Sequence, residues 1–113
     1  MKRINNYKFG YIEIDDNSFT ADLIVFPTSI EDEWWRAESH NLVIADIEKY
    51  NWNDIEIVVI GTGEEGLMKV SNSLKQFFTS YNTKTIICCT PDAVIEFNNL
   101  KTEKKAALLH LTC

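Results

Sequence analysis

The run Ile57-Val58-Val59-Ile60 constrains this chain more than any other stretch. With Ile55 it places five aliphatic residues in six positions between Asp54 and Gly61. Side chains on a strand alternate between its two faces, so an unbroken aliphatic run has no face to show to water. Both faces must be covered, as in a parallel sheet flanked by helices. The segments after it have the matching rhythm. Ser71 is a good N-cap, and Leu74, Phe77, Phe78 and Tyr81 recur at helical spacing after it. Thr85 to Cys89 reads as a second buried strand. Thr90-Pro91-Asp92 opens another helix, with Thr90 as cap, Pro91 at the first helical position, and Ala93, Val94, Phe97 and Leu100 as the apolar face. Ala106 to Leu111 reads as a last strand. The back half is therefore βαβαβ, with right-handed crossovers and strands that run parallel.

The front half is β-rich. Tyr7 to Ile14 and Ser18 to Phe26 flank Asp15-Asp16-Asn17, a turn signal, and Pro27 closes the second run; together they predict a β-hairpin. Thr28 to Trp35 is expected to hold a further short strand, and Leu42 to Tyr50 a short helix ended by Asn51. The 113 residues suit one domain, residues 1–113, and 45% hydrophobic content suffices for one core without staples. No apolar run approaches the ~20 residues that span a bilayer, so no membrane insertion is expected. The first ten residues, MKRINNYKFG, lack the apolar segment of a secretory leader and the pattern of a mitochondrial presequence. A cytoplasmic location is the expectation. Three cysteines, with Cys88 and Cys89 adjacent and pointing to opposite faces, make no disulfide framework and suit a reducing compartment.

A net charge of −6 argues against nucleic acid as a partner, because such binding rests on Lys and Arg neutralising phosphates. Lys101, Lys104 and Lys105 form the one basic concentration and read as the solvated end of a helix. Gly61-Thr62-Gly63-Glu64-Glu65-Gly66 matches G-x-G-x-x-G after a strand. Yet the next helix starts only at Ser71, Glu64 and Glu65 put negative charge where a phosphate would sit, and no acidic residue ends the next strand to hold a ribose. The loop reads first as a tight structural turn. Its ligand reading gathers Gly61, Thr62, Gly63 and Thr90 at the strand ends, with Arg36 as anion partner and His40 nearby. His110 and Cys113, with His40 as the remaining histidine, fall short of a zinc set, and no metal or cofactor is expected. Trp34-Trp35-Arg36 is the most unusual local feature. If extended, it points one indole inward and one outward, and Trp and Arg are the residues enriched at protein-interaction hot spots.

Phe9-Gly10, Val25-Phe26-Pro27, Trp34-Trp35-Arg36, Val58-Val59-Ile60-Gly61-Thr62-Gly63, Leu67-Met68-Lys69-Val70, Thr90 with Ala93-Val94 and Phe97-Asn98, and the closing Ala107 to Cys113 run in order over nearly the whole chain. As an ordered set they resemble the Mth-nine-three-eight-like domain family, a domain of unknown function. Its relatives include the adipogenesis-associated domain protein and mitochondrial complex I assembly factor three. The resemblance implies a three-layer α/β domain with a central mixed sheet, and no established catalytic activity. It leads to two functional expectations. The preferred one is a non-enzymatic interaction or assembly module acting on an unidentified protein partner through Trp34, Trp35 and Arg36. The alternative is a small-ligand or enzyme domain with an anion- or nucleotide-like site at Gly61–Gly66.

Overall fold

The computed structural model describes residues 1–113. In chain order its elements are β1 (Ile4–Lys8), β2 (Tyr11–Ile14), β3 (Asn17–Phe19), β4 (Leu23–Val25), β5 (Ile30–Glu31), β6 (Asn41–Leu42), β7 (Ile57–Thr62), β8 (Lys69–Val70), α1 (Asn72–Ser80), β9 (Lys84–Cys88), α2 (Thr90–Asn99) and β10 (Lys105–His110). Five strands make the central sheet in the order β5-β4-β10-β7-β9. β7 is parallel to both β9 and β10, so the βαβαβ unit forms as its apolar pattern requires. β4 runs antiparallel to β10, which makes the sheet mixed.

The alternation of side chains along β7 and β10 divides the core in two. Val58, Ile60, Ala106 and Leu108 face α1 through Leu74 and Phe78, and face Trp34, Ile47, Trp52 and Met68 from the long connections. Val59, Ala107, Leu109, Leu23 and Val25 face the other way. They meet Ala93 and Phe97 of α2 together with Ile4, Ile12 and Ile14 of the small β1-β2-β3 sheet. The result is three layers with the mixed sheet in the middle. Ser71 caps α1, its hydroxyl accepting from Leu74 N–H at 3.1 Å. Asp15 holds a positive φ of 54° in the turn joining β2 to β3, as a short polar side chain can.

Several local expectations give way to tertiary demands. The run Ser18–Phe26 is not one strand: β3 ends at Phe19 and closes the hairpin with β2, while β4 leaves to join the central sheet. Within Thr28–Trp35 only Ile30–Glu31 is strand, because Glu33 turns to a φ of 51° and breaks it. The helix expected over Leu42–Tyr50 is a single 3-10 turn, Ile44–Asp46. There the Asp46 carboxylate accepts from Ala37 and Val43 N–H, while two indoles donate to the Asp46 and Ile47 carbonyls. The Asp46 carbonyl goes to the Trp34 indole and the Ile47 carbonyl to Trp52 and to Tyr50 N–H three residues on, and no α-helical ladder extends through them. Thr90 lies inside α2, and Cys89 is its N-cap. β9 is an edge strand, since no further strand follows it in the sheet, and it is only partly covered, with Lys84 and Ile87 exposed. Lys105 is buried rather than solvated. Its ammonium donates to the carbonyls of Phe97 (2.5 Å) and Leu100 (3.0 Å) at the end of α2, lying 4.2 Å from the Phe97 ring centre.

The loop after β7 is bound to the last residues of the chain. Gly63 has φ +107°, and a Cβ there would overlap the carbonyl group of Cys113. Gly10 also has positive φ, +73°, but opens on empty space. Gly63→Ala is expected to cost about 2 kcal/mol or more, and Gly10→Ala about 1 kcal/mol, as read from urea-unfolding midpoints. An equal loss at both positions would show that the packing of Cys113 against the loop contributes nothing.

Candidate functional site

Pairing of β4 with β10 sets Leu23 opposite Leu109, which brings Asp22 beside His110 across 88 residues of sequence. Asp22 Oδ1 accepts from Leu111 N–H at 2.7 Å, and Oδ2 lies 2.7 Å from His110 Nδ1. The shorter contact assigns the proton to Nδ1, donating to the carboxylate. Arg36 Nη1 stands 2.8 Å from the same Oδ2, and Nη2 donates to Ser39 O at 3.0 Å. The Arg36–Asp22 pair is an ionic contact rather than an aligned hydrogen bond, since Nη1 and Nε find no well-directed acceptor. Trp34 floors the guanidinium, 5.1 Å from ring centre to Cζ, and its own N–H is tied to Asp46 O.

Burial alone would push the Asp22 carboxyl up. The hydrogen bonds from His110 and Leu111 N–H, together with the Arg36 guanidinium beside it, outweigh that and hold the carboxyl below its ordinary range. Arg36 and His110 side chains are both 4% exposed, so the carboxylate is what keeps the guanidinium neutralised inside the fold. His110 Nε2 is buried and has no partner, which leaves one unspent acceptor in the cluster.

The residues singled out in the sequence fall into two groups separated by the sheet. Arg36 and His40 lie on the α1 side, with the His40 ring edge-on to His110 at 6.2 Å. Gly61 and Thr90 lie on the α2 side: a Cβ on Gly61 would meet Thr90 Oγ1 at 2.9 Å and Ala93 Cβ at 3.2 Å. His110 belongs to both groups, its ring in the charged cluster and its carbonyl accepting from Thr90 Oγ1 at 2.5 Å. That hydroxyl also accepts from Gly63 N–H at 2.9 Å, and Thr62 Oγ1 donates to Cys88 O at 3.0 Å. Most other amides of the loop and the residues after it bond within the chain, Gly66 N–H to Gly63 O among them. Glu64 N–H goes to Thr112 O, Leu67 N–H to Cys113 O and Met68 N–H to Thr62 O. Glu64 itself is held by the Tyr7 hydroxyl at 2.9 Å.

Trp34 and Trp35 divide as an extended segment requires. Trp34 is buried and Trp35 is 88% exposed. The Trp35 indole borders an open depression of about 420 Å³ lined also by Ala21, Asp22, Trp34, Arg36 and Ser39. Asp22 and His110 complete this site; Asp22 did not stand out in the sequence, and His110 did so only beside Cys113 and His40 as a possible metal ligand. An acidic residue just before Leu23-Ile24-Val25 is a faint signal, because only strand pairing reveals its partner.

The profile of the family described as protein of unknown function (DUF498/DUF598) matches residues 4–112. The chain belongs to this family. Its fold is similar to that of a conserved hypothetical protein from Pyrococcus horikoshii, with TM-score 0.83 and 24% identity over 98% of this chain and 99% of that one. It is also similar to a protein from Bartonella henselae described as an outer membrane protein, with TM-score 0.73 and 26% identity over 97% and 94% of the two chains. A third similar structure, MT938, has TM-score 0.77 and 17% identity over 100% of both chains. The likeness to MT938 bears out the Mth-nine-three-eight-like resemblance drawn from the ordered motifs. No curated protein matches the chain significantly. No helix is long and apolar enough to cross a membrane.

The Asp22 cluster makes stability depend on pH. A carboxyl held below its ordinary value contributes stability that is fully present above about pH 4 and lost as pH falls through the depressed value. Asp22→Asn is expected to cost about 3 kcal/mol at neutral pH, because it strands the Arg36 charge. The variant's unfolding free energy should also fall less steeply than the wild type's below about pH 4. Parallel acid limbs in urea titrations would remove Asp22 as the group responsible.

Proposed function

We propose that this protein is a non-enzymatic protein-binding module whose contact centre is Trp35 and the depression beside Arg36. The observation that carries the reading is the exposed indole next to a buried one, on a segment that Arg36 and Trp34 hold rigid. A large aromatic held in water over a preformed depression loses its hydration cost when a partner covers it. Ordering it costs little, because the backbone is already fixed: Trp34 N–H donates to Asp22 O at 2.8 Å. Glu31, Asp32 and Glu33 precede the site and are exposed, so the partner face that fits is an apolar anchor rimmed by Lys or Arg. A reducing cytoplasm suits the three free cysteines.

A small-ligand role for the same depression has one observation in its favour, the unpartnered polar atoms of Arg36 and His110 behind it. The anion-binding reading of Gly61–Gly66 draws less support, since the amides that would cradle an anion bond to Thr112, Cys113 and the Thr90 hydroxyl.

Trp35→Ala is expected to change stability by no more than about 0.5 kcal/mol, as an exposed position should. It should weaken partner binding by about 2 kcal/mol or more, roughly thirtyfold. The measurement is affinity capture of wild type, Trp35→Ala and the remote exposed control Ile95→Ala, followed by titration of any partner lost only from the first variant. Identical captured sets for all three would sink the reading. A thermal shift with small carboxylates or phosphosugars that disappears in Arg36→Lys would favour the ligand role instead.

A further inference from the structure

The two edges of the central sheet are finished differently. β5 is two residues long and runs into Asp32 and Glu33, the short charged ending of a protected edge. β9 is five residues, Lys84-Thr85-Ile86-Ile87-Cys88, with no proline and an even register against β7. Lys84 N–H donates to Glu56 O at 2.9 Å in the parallel register with β7, and Cys88 O faces β7, accepting from the Thr62 side-chain hydroxyl at 3.0 Å, so the even-numbered residues bond inward. Alternation then turns the N–H and C=O of Thr85 and Ile87 outward, and the Ile87 side chain is 38% exposed. A depression lined by Thr79, Asn82, Lys84 and Thr85 leaves the start of the strand uncovered.

We propose that β9 pairs antiparallel with β9 of a second copy of this chain about a two-fold axis at Ile86, joining two five-stranded sheets into one. In that register Thr85 and the partner's Ile87 exchange both backbone hydrogen bonds, twice by symmetry, and every outward group of the strand is used. The axis pairs Ile86 with the partner's Ile86 and sets Lys84 opposite the partner's Cys88.

Charge selects a second copy over an unrelated strand. Asp92 Oδ2 lies 3.3 Å from Cys89 Sγ, and Glu96 comes one turn later on α2. Both stand close enough to Cys88 that, after burial and the neighbouring Cys89, their charges push its thiol up. Lys84 shares a sheet face with Cys88, and no ion pair within the chain engages Lys84, Asp92 or Glu96. The pairing brings each Lys84 to the Asp92 and Glu96 carboxylates of the other copy. A net charge of −6 on each copy opposes association in general, so a contact that sets cation over carboxylate is what makes this edge self-complementary.

Sedimentation equilibrium of the full chain from about 1 to about 100 µM tests this over the range of modest interfaces. A dimer is expected. Lys84→Glu should weaken it by at least about tenfold, since it faces two carboxylates at each of two symmetric contacts. Adding Glu96→Lys in the same chain should restore it. Mild oxidation of Lys84→Cys should give a covalent dimer bonded through Cys88, seen by peptide mass spectrometry and absent when Cys88→Ser is combined with it. A monomer throughout the range, a dimer indifferent to Lys84→Glu, or a cross-link that bypasses Cys88 would each overturn the proposal. Because Lys84 is exposed and far in sequence from Trp35, these outcomes are read independently of partner capture.

Discussion

Everything in this fold leans on β10. All six of its residues are buried, and it is hydrogen-bonded on both edges, antiparallel to β4 and parallel to β7. Its alternate side chains feed both core clusters, Ala106 and Leu108 into one, Ala107 and Leu109 into the other. A strand in that position is the seam between the β-rich front and the βαβαβ back. Because it lies far in sequence from β4 and β7, the two halves close only when long-range contacts form. Such closure is the slow, topology-limited step of folding for sheets of this kind.

The end of β10 is where the apolar seam meets charge. His110 is the last residue of the strand, and its ring enters a cluster with Asp22 from the start of β4 and Arg36 from the connection after β5. Its carbonyl meanwhile receives the Thr90 hydroxyl and so ties down the start of α2. One residue thereby joins the two faces of the sheet. The internal charges balance each other, and the polar atoms left over are buried behind the Trp35 depression rather than exposed in it.

Much of the back half was legible because its signals are local. The Ser71 cap, the Leu74–Phe78 stripe and the aliphatic run of β7 each act over a few residues, and the structure places them as their patterns require. Failures cluster where a distant group intervenes. Leu42–Tyr50 has helix-forming residues, but the Trp34 indole takes the Asp46 carbonyl and the Asp46 carboxylate takes the N–H of Ala37. Lys105 looks solvated in a lysine-rich stretch, yet α2 needs its ammonium to close the last carbonyls. Arg36 and His40 were legible as candidates by residue type, whereas Asp22 was invisible. Its role depends on the register of β4 against β10, which sequence spacing does not encode.

The amino-acid sequence by itself determined the class of fold, the parallel βαβαβ core and the division of Trp34 from Trp35. Apolar periodicity and the two-residue repeat of a strand act through nearest neighbours, so they are legible without any long-range contact. The tertiary structure alone decided which residues share a site. It placed β10 between β4 and β7, set Asp22 against His110 and Arg36, gave the amides of the glycine loop to Thr112 and Cys113, and left β9 as the open edge. Those outcomes come from strand order and register, where one added or lost residue turns every side chain to the opposite face.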